Sequence, residues 1–303
     1  MGYSKSAKKY GSENRGARFG SQKKSGYAKG GSFGKGAPRP AKSSSRPERA
    51  ETNRDEEIAN GAVPGRNAVR ELLKSGRDIE KIFVSSGERE GSITVLVAES
   101  IKRGIPIIEV EKPKLDALCG YEQHQGIVAI ASEKEYVTTD DILAIAEERG
   151  EKPLVVVCDG VSDPHNLGAI IRCAEGAGAH GIIIPKRRAA GITPAVVKSS
   201  AGAVEHLAAA KCSNVADTLR KLKDKGLWIF GAEADGQNYV KAEFDLPCAI
   251  VLGSEENGIS DIVKKQCDYI VSIPMRGKVN SLNVSTAAAV LLYEALRQRG
   301  ISE

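Results

Sequence analysis

Along residues 58–299, short apolar runs alternate with stretches in which apolar residues recur every three or four positions. The first pattern predicts buried strands and the second helices. In "GRNAVRELLKSG" the Ala, Val and Leu spacing and the closing glycine predict a helix. "IEKIFVSS" predicts a strand, "GSITVLVAESIKRG" a second helix, "IPIIEVE" a strand, "KPKLDALCG" a short helix and "HQGIVAIA" a closing strand. This order predicts a small α/β domain over residues 58–132. Residues 133–152 are strongly charged and predict a linker holding one short helix.

From residue 153 to 303 the alternation strengthens. "LVVVCD", "GIIIP", "LWIFGA", "CAIVLG" and "YIVSIP" predict strands, with helical patterns at 166–178, 213–225, 260–267 and 284–298. Almost wholly apolar strands between helices predict a parallel sheet covered on both faces. Ligands in such sheets bind outside the carboxyl ends of the strands. Those ends are "DGVSDPHNLG", "GAEADGQN", "VLGSEENG" and "IPMRGKVNSLN", all rich in Gly, Asn, Ser or acidic residues. Chemistry is expected there.

Charge changes the picture only at the start of the chain. Residues 1–50 hold 13 Lys and Arg against 2 acidic residues, a net of +11, so the rest of the chain carries 31 against 37, a net of −6. The segment has no Leu, Ile or Val, which predicts a disordered tail over 1–57 that forms neither a core nor a presequence helix. Tyr3, Tyr10, Phe19, Tyr27 and Phe33 are spaced among its Lys, Arg, Gly and Ser. Such a segment can neutralise phosphates and stack on bases, or serve only as a solubilising leader.

Six scattered cysteines (Cys119, Cys158, Cys173, Cys212, Cys248, Cys267) and four dispersed histidines show no ligand spacing. Buried structural thiols in a reducing cytoplasm are expected, with no metal site. No apolar run approaches the roughly 18 residues of a membrane span.

A literal G-x-G-x-x-G stands at Gly176, Gly178 and Gly181. A dinucleotide site needs it after a strand and before a helix; here it closes a helix and leads into "GIIIP". It predicts a helix end and tight turn, and argues against a nicotinamide-dependent enzyme. In "DPHNLGAIIR", Asp163 or Asn166 can cap the following helix. Arg172 lies nearly two turns further on, in an otherwise apolar helix, where it either makes a structural ion pair or serves a ligand. His165 is expected to be a loop residue. In "CAIVLGSEENGIS", Gly253 allows close approach to the backbone and Glu255 stands exposed past the strand end. Adjacent carboxylates rarely point the same way, so Glu255 and Glu256 do not predict a paired-acid site.

Together "DPHNLGAIIR", "AIVLGSEENGIS" and "SIPMRGKVNSLNVSTAAAVLLYEALRQR" resemble the three signature motifs of the SPOUT-class ribose 2'-O-methyltransferases of the TrmH family, in order, across 153–299. The preceding domain, opening on "GRNAVRELL" and closing on "HQGIVA", is similar to the ribosomal-protein-like RNA-binding domain of the bacterial 23S rRNA guanosine 2'-O-methyltransferase branch. The resemblance implies a deep trefoil knot, bound S-adenosylmethionine and a homodimer in which both subunits complete each site. It places Gly253, Ile273 and Leu282 on the cofactor. It places Asn166, Arg172, Glu255, Ser281 and Asn283 in the catalytic and substrate cluster. It makes the polar stretch around Ser281 a cofactor-lining loop, with Asn283 or Ser285 capping the last helix. "EENG" departs from relatives that place Gly and Glu before the final Gly, which leaves the role of Glu256 open.

The implied reaction is in-line methyl transfer to a ribose 2'-hydroxyl of RNA, without metal. Arginine stays protonated in proteins, so Arg172 is expected to clamp a phosphate and stabilise the developing alkoxide, while phosphate or water takes the proton. rRNA is the expected substrate because of the extra N-terminal domain. A tRNA ribose methyltransferase would share every catalytic residue. A noncatalytic RNA-binding or ribosome-assembly protein would be expected to have lost some of Asn166, Arg172, Glu255 or Asn283.

Overall fold

The computed structural model describes residues 61–87 and 91–300. The expectations for the basic tail at 1–57 lie outside the described residues. Two sheets organise the rest. The first is built from β1 (Ala62–Pro64), α1 (Arg66–Ser75), β2 (Ile79–Ser85), α2 (Ser92–Lys102), β3 (Ile107–Val110), α3 (Lys112–Leu118) and β4 (Ile127–Ala131). Its strand order is β1-β4-β2-β3, with β4 antiparallel to both neighbours and β2 parallel to β3. In α1, Ala68, Val69, Leu72 and Leu73 supply the buried stripe, and Gly76 ends the helix at φ 77°.

Next comes α4 (Thr139–Glu148), opened by a reciprocal cap in which Thr138 and Asp141 satisfy each other's backbone N–H groups. This is the helix expected within the linker. The segment packs closely: Ile142 and Ala146 are fully buried and the Val137 N–H donates to Ala209 O at 2.9 Å.

The second sheet contains β5 (Leu154–Asp159), β6 (Gly181–Pro185), β7 (Ala208–Cys212), β8 (Trp228–Asn238), β9 (Cys248–Gly253) and β10 (Tyr269–Ser272). Between them run α5 (Pro164–Gly176), α6 (Pro194–Ser199), α7 (Val215–Asp224) and α8 (Asp261–Lys264), and α9 (Val284–Arg299) follows β10. The strand order is β10-β8-β9-β5-β6-β7 and every pairing is parallel. Strand parity divides the core. Leu154, Val156, Ile250 and Leu252 face α5 and α9, while Val155, Val157, Ala249 and Val251 join α4, α7 and α8. Both faces are covered, as the unbroken apolar strands require.

Three features differ from the sequence reading. β7 was not expected from "AAAKC", because alanine carries little strand preference. α6 is a short additional helix, capped by Thr193 with Pro194 in its first turn. β8 continues six residues past its apolar run, to Asn238, because its polar end pairs with β10 across a register shift at Ile270/Val271.

The face holding α5 is continuous with the first sheet, whose Val69, Leu72 and Ile82 belong to the same buried cluster. A charged cluster lies in this junction. Arg77, just after α1, stands 3.0 Å from Glu205, whose side chain is 1% exposed. Lys134 Nζ donates to the Glu205 backbone carbonyl at 3.1 Å. Neither carboxylate oxygen of Glu205 has an aligned hydrogen bond, so the contact with Arg77 is electrostatic. Nearby, His206 meets Glu71 of α1 at 3.0 Å.

Candidate functional site

The site lies where the sequence reading looked for it, at the carboxyl ends of the parallel strands. Asp163 caps α5 by accepting from the His165 N–H at 2.9 Å. Of the two cap candidates it is the one used, and this releases Asn166 in the first turn for longer-range contacts. Asn166 Nδ2 donates to Glu255 Oε1 at 2.7 Å, beyond the end of β9. Asn166 Oδ1 in turn accepts from Asn283 Nδ2 at 3.0 Å. Asn283 is also the cap of α9, accepting from the Ser285 N–H at 2.8 Å and the Ser285 hydroxyl at 2.6 Å. The result is a hydrogen-bonded chain running Asn283–Asn166–Glu255, drawn from three loops far apart in sequence. Side-chain amides have both a donor and an acceptor, so two asparagines in series can orient a carboxylate where a hydrocarbon could not.

Two cavities meet at this chain. The first has a volume of about 500 Å³ and includes Gly253, Ile273, Ser281, Leu282 and Asn283 in its lining. Leu252, Val284 and Leu291 supply further apolar wall, and Glu233, Glu255 and Glu256 supply carboxylates; no Lys, Arg or His lines it. The second cavity, of about 640 Å³, is lined by Asn166, Asp159, Asp163, Arg187, Arg188 and Ser213, among others. Ser254, Glu255, Glu256 and Gly258 wall both. Asn283 thus faces the first cavity, Asn166 the second, and Glu255 both.

The shared wall is a tight turn. Ser254 and Gly258 exchange backbone hydrogen bonds of 2.9 and 3.0 Å. A Cβ on Gly253 would lie 2.1 Å from the Gly258 carbonyl carbon and 2.3 Å from Ile259 N. Glycine is therefore required at 253 for the chain's own turn to fold back against the strand end. Glu233 in the middle of β8 fixes the other side, accepting from the Ile259 N–H at 2.5 Å. Asp159 at the end of β5 accepts from the Ser260 N–H and hydroxyl at 2.8 and 2.7 Å. The loop over residues 273–283 has no regular secondary structure, and α9 starts at Val284.

Arg172 is exposed on α5, lines neither cavity and has no ion-pair or hydrogen-bond partner among the described residues. Ser281 lines the first cavity but does not join the hydrogen-bonded chain. His165 lies in the first turn of α5 rather than in a loop, exposed beside the site. Three residues that line or support the site carried little signal in the sequence. Ser285 was visible only as a possible cap, and Arg187 and Arg188 sit in a loop whose only signal was the basic run "KRR".

The cysteines offer no nucleophile. Burial pushes the Cys158 and Cys267 thiols up to about 12 and Cys248 up to about 11, so they stay protonated at neutral pH. Among the described residues no group of His, Cys, Asp or Glu is arranged to hold a metal, and no helix is long and apolar enough to cross a membrane.

Comparison with known proteins follows the same division. Residues 153–293 match the model of the SpoU rRNA methylase family, and residues 62–137 match a model described as RNA 2'-O ribose methyltransferase substrate binding. The chain is 43% identical over 238 residues to YacO of Bacillus subtilis, a protein named for the TrmH family of tRNA/rRNA methyltransferases, covering 78% of this chain and 95% of that one. A Staphylococcus haemolyticus protein named for the same family is 41% identical over the same shares. Among solved structures, the SpoU methyltransferase AviRb from Streptomyces viridochromogenes in complex with AdoMet superposes with a TM-score of 0.65 at 28% identity, covering 78% of this chain and 90% of that one. An AdoMet-bound rRNA methyltransferase from Sinorhizobium meliloti gives 0.64 at 25% identity, over 78% and 86%.

Proposed function

The chain belongs to the SpoU/TrmH family of SPOUT RNA methyltransferases, and on that premise we propose that it transfers the methyl group of S-adenosylmethionine to a ribose 2'-hydroxyl of structured RNA. The observation that carries this reading is the Asn283–Asn166–Glu255 chain standing between two cavities. A group-transfer enzyme needs donor and acceptor held on either side of its reacting centre.

The first cavity suits the donor. Its apolar walls match a nucleoside and thioether chain, and its three carboxylates without a basic partner match a cation. Gly253, Ile273 and Leu282 would hold it, in keeping with the AdoMet bound to AviRb and to the Sinorhizobium enzyme. The cofactor supplies a methyl group already activated by the positive sulfonium. The protein has only to orient the hydroxyl and ease its deprotonation. Glu255 spends one oxygen on Asn166 and has a second with which to accept a hydrogen bond from the ribose hydroxyl. Asn166 and Asn283 hold that carboxylate in place. The proton passes to water or to the neighbouring phosphate.

Arg172 and Ser281 complete the proposed site. Because Arg172 reaches neither cavity of its own chain, it acts in this reading across the two-fold axis of a homodimer, clamping phosphate at the partner's site. α9 presents Tyr293, 52% exposed, on the outer surface available for that interface. A deep trefoil knot through the 273–283 loop belongs to the same reading. The favoured substrate is a guanosine of 23S rRNA, with tRNA the alternative; the match of residues 62–137 to a substrate-binding model supports an RNA substrate in either case.

The test is methyl transfer from labelled S-adenosylmethionine to total rRNA and tRNA from a deletion strain, followed by mapping of ribose methylation. Asn166→Ala should lower single-turnover transfer by about 10²–10³ while S-adenosylhomocysteine affinity changes by less than about threefold. Methylation of a base instead of a ribose, or full activity in Asn166→Ala, would overturn the reading. Light scattering that finds an active monomer would remove the dimer from it.

A further inference from the structure

We propose that the second cavity is the seat of the acceptor nucleotide, and that Arg187 and Arg188 grip the RNA phosphate beside it. The inference rests on the methyl-transfer reading and extends it to residues outside the three motifs. The cavity lining carries charges of both signs. Asp159, Asp163 and Glu255, each already accepting a hydrogen bond from the protein, line it together with Glu256 and Asn166. The lining also includes Arg187 and Arg188, in the loop between β6 and α6, both exposed and without an ion-pair partner among the described residues. A bare phosphate would be repelled by the carboxylates. A nucleotide is not, because it carries hydroxyl donors as well as its anionic phosphate.

The loop is held firmly enough to present the arginines. Lys186 N–H donates to Cys212 O at 2.8 Å, Ala190 N–H to Val161 O at 2.9 Å, and Ile192 N–H to the Tyr136 hydroxyl at 3.0 Å. Tyr136 itself lies under Lys211, whose Nζ is 3.9 Å from the ring centroid. Arg188 adopts a left-handed φ of 58°, a conformation that a non-glycine residue holds only where its surroundings enforce it. Two arginines in the lining of one cavity, which shares Glu255 with the other, supply the planar donors that phosphate oxygens accept.

The experiment compares the full chain with Arg187→Ala/Arg188→Ala and Arg187→Lys/Arg188→Lys. Total rRNA from a deletion strain is the substrate, and S-adenosylhomocysteine calorimetry and RNA binding at several salt concentrations are run in parallel. The alanine pair is expected to raise KM for RNA about tenfold or more, to reduce kcat less, and to leave S-adenosylhomocysteine affinity unchanged. The salt slope of RNA binding should fall by about 1 to 2. The lysine pair should restore the slope but only part of the KM. An unchanged KM and slope would overturn the proposal, as would loss of S-adenosylhomocysteine binding, which would make the arginines supports of the donor cavity. If the parent chain methylates no RNA, the methyl-transfer reading fails. The salt slope then still tests whether these arginines hold RNA.

Discussion

Removing one member of the Arg77–Lys134–Glu205 cluster should cost far more stability than removing all three. Glu205 has a side chain 1% exposed and Arg77 one 13% exposed, so neither charge is covered by water. Stranding a buried charge costs about 3–5 kcal/mol, whereas replacing a whole buried ionic group by hydrocarbon of similar volume is close to neutral. Arg77→Ala and Glu205→Ala should each lose about 3–5 kcal/mol, which lowers Tm by roughly 6–20 °C in a chain of this size. Glu205→Ala should be the worse, because it strands two cations instead of one anion. Arg77→Met/Lys134→Met/Glu205→Leu should return to within about 2 kcal/mol of the parent.

The two single variants should also respond oppositely to pH. Burial holds the Glu205 carboxyl above its ordinary 4.5, against the pull of Arg77, Lys134 and His206. Without Arg77 it rises further, the folded state binds more protons than the unfolded, and stability increases as pH falls through the raised folded pKa toward 4.5. Burial holds Lys134 below its ordinary 10.5, with Glu205 opposing and Arg77 assisting. Without Glu205 it falls further, the folded state binds fewer protons, and stability increases as pH rises toward 10.5. Each slope is at most about 1.4 kcal/mol per pH unit. Urea unfolding followed by circular dichroism and by fluorescence of Trp228 provides the measurement. Losses under 1 kcal/mol with no pH slope would show that water reaches the cluster and that the reasoning is wrong.

Three further outcomes are expected. Gly253→Ala should weaken S-adenosylhomocysteine binding at least tenfold, measured by calorimetry, since its Cβ cannot coexist with the Gly258 carbonyl carbon at 2.1 Å and the turn walling the cavity must shift. Arg172→Ala should reduce single-turnover methyl transfer by about 10²–10³ with donor affinity within a few fold; near-parental turnover would refute its assignment. Deleting residues 1–52 should leave donor binding intact and flatten the salt dependence of RNA affinity, because 13 of the chain's Lys and Arg residues lie in 1–50. An unchanged slope would reduce the segment to a passive leader.

The parallel sheet was legible because β5, β6 and β9 bury both faces and so spell themselves in Val, Ile and Leu. β7 was not, since its alanines gain their place from pairing with β6 rather than from their own preference. The polar end of β8 was hidden for a similar reason: Ser272 Oγ donates to Gly236 O at 2.7 Å, a tertiary contact that no local pattern announces. Within the candidate site, the motif loops stood out as polar interruptions at strand ends. Which of the two candidates would cap α5 did not, because Asp163 and Asn166 are both competent and only the position of Glu255 separates them. The second cavity was invisible because it is made by a loop approaching from β6, and its arginines look in sequence like an ordinary solvated charge run.

The hydrogen-bonded chain also sets a clock. Asn166 is bonded to a residue 89 positions later and to another 117 positions later. During synthesis at about 5–20 residues per second, some 6–23 seconds separate the emergence of Asn166 from that of Asn283. β5 and α5 are therefore made well before their polar residue acquires its partners, but β9 and α9, against which they pack, arrive only with those partners, and closing so long a loop is among the slower steps open to a chain. The candidate site is a late product of folding, completed together with the strand and the helix that close the fold around it.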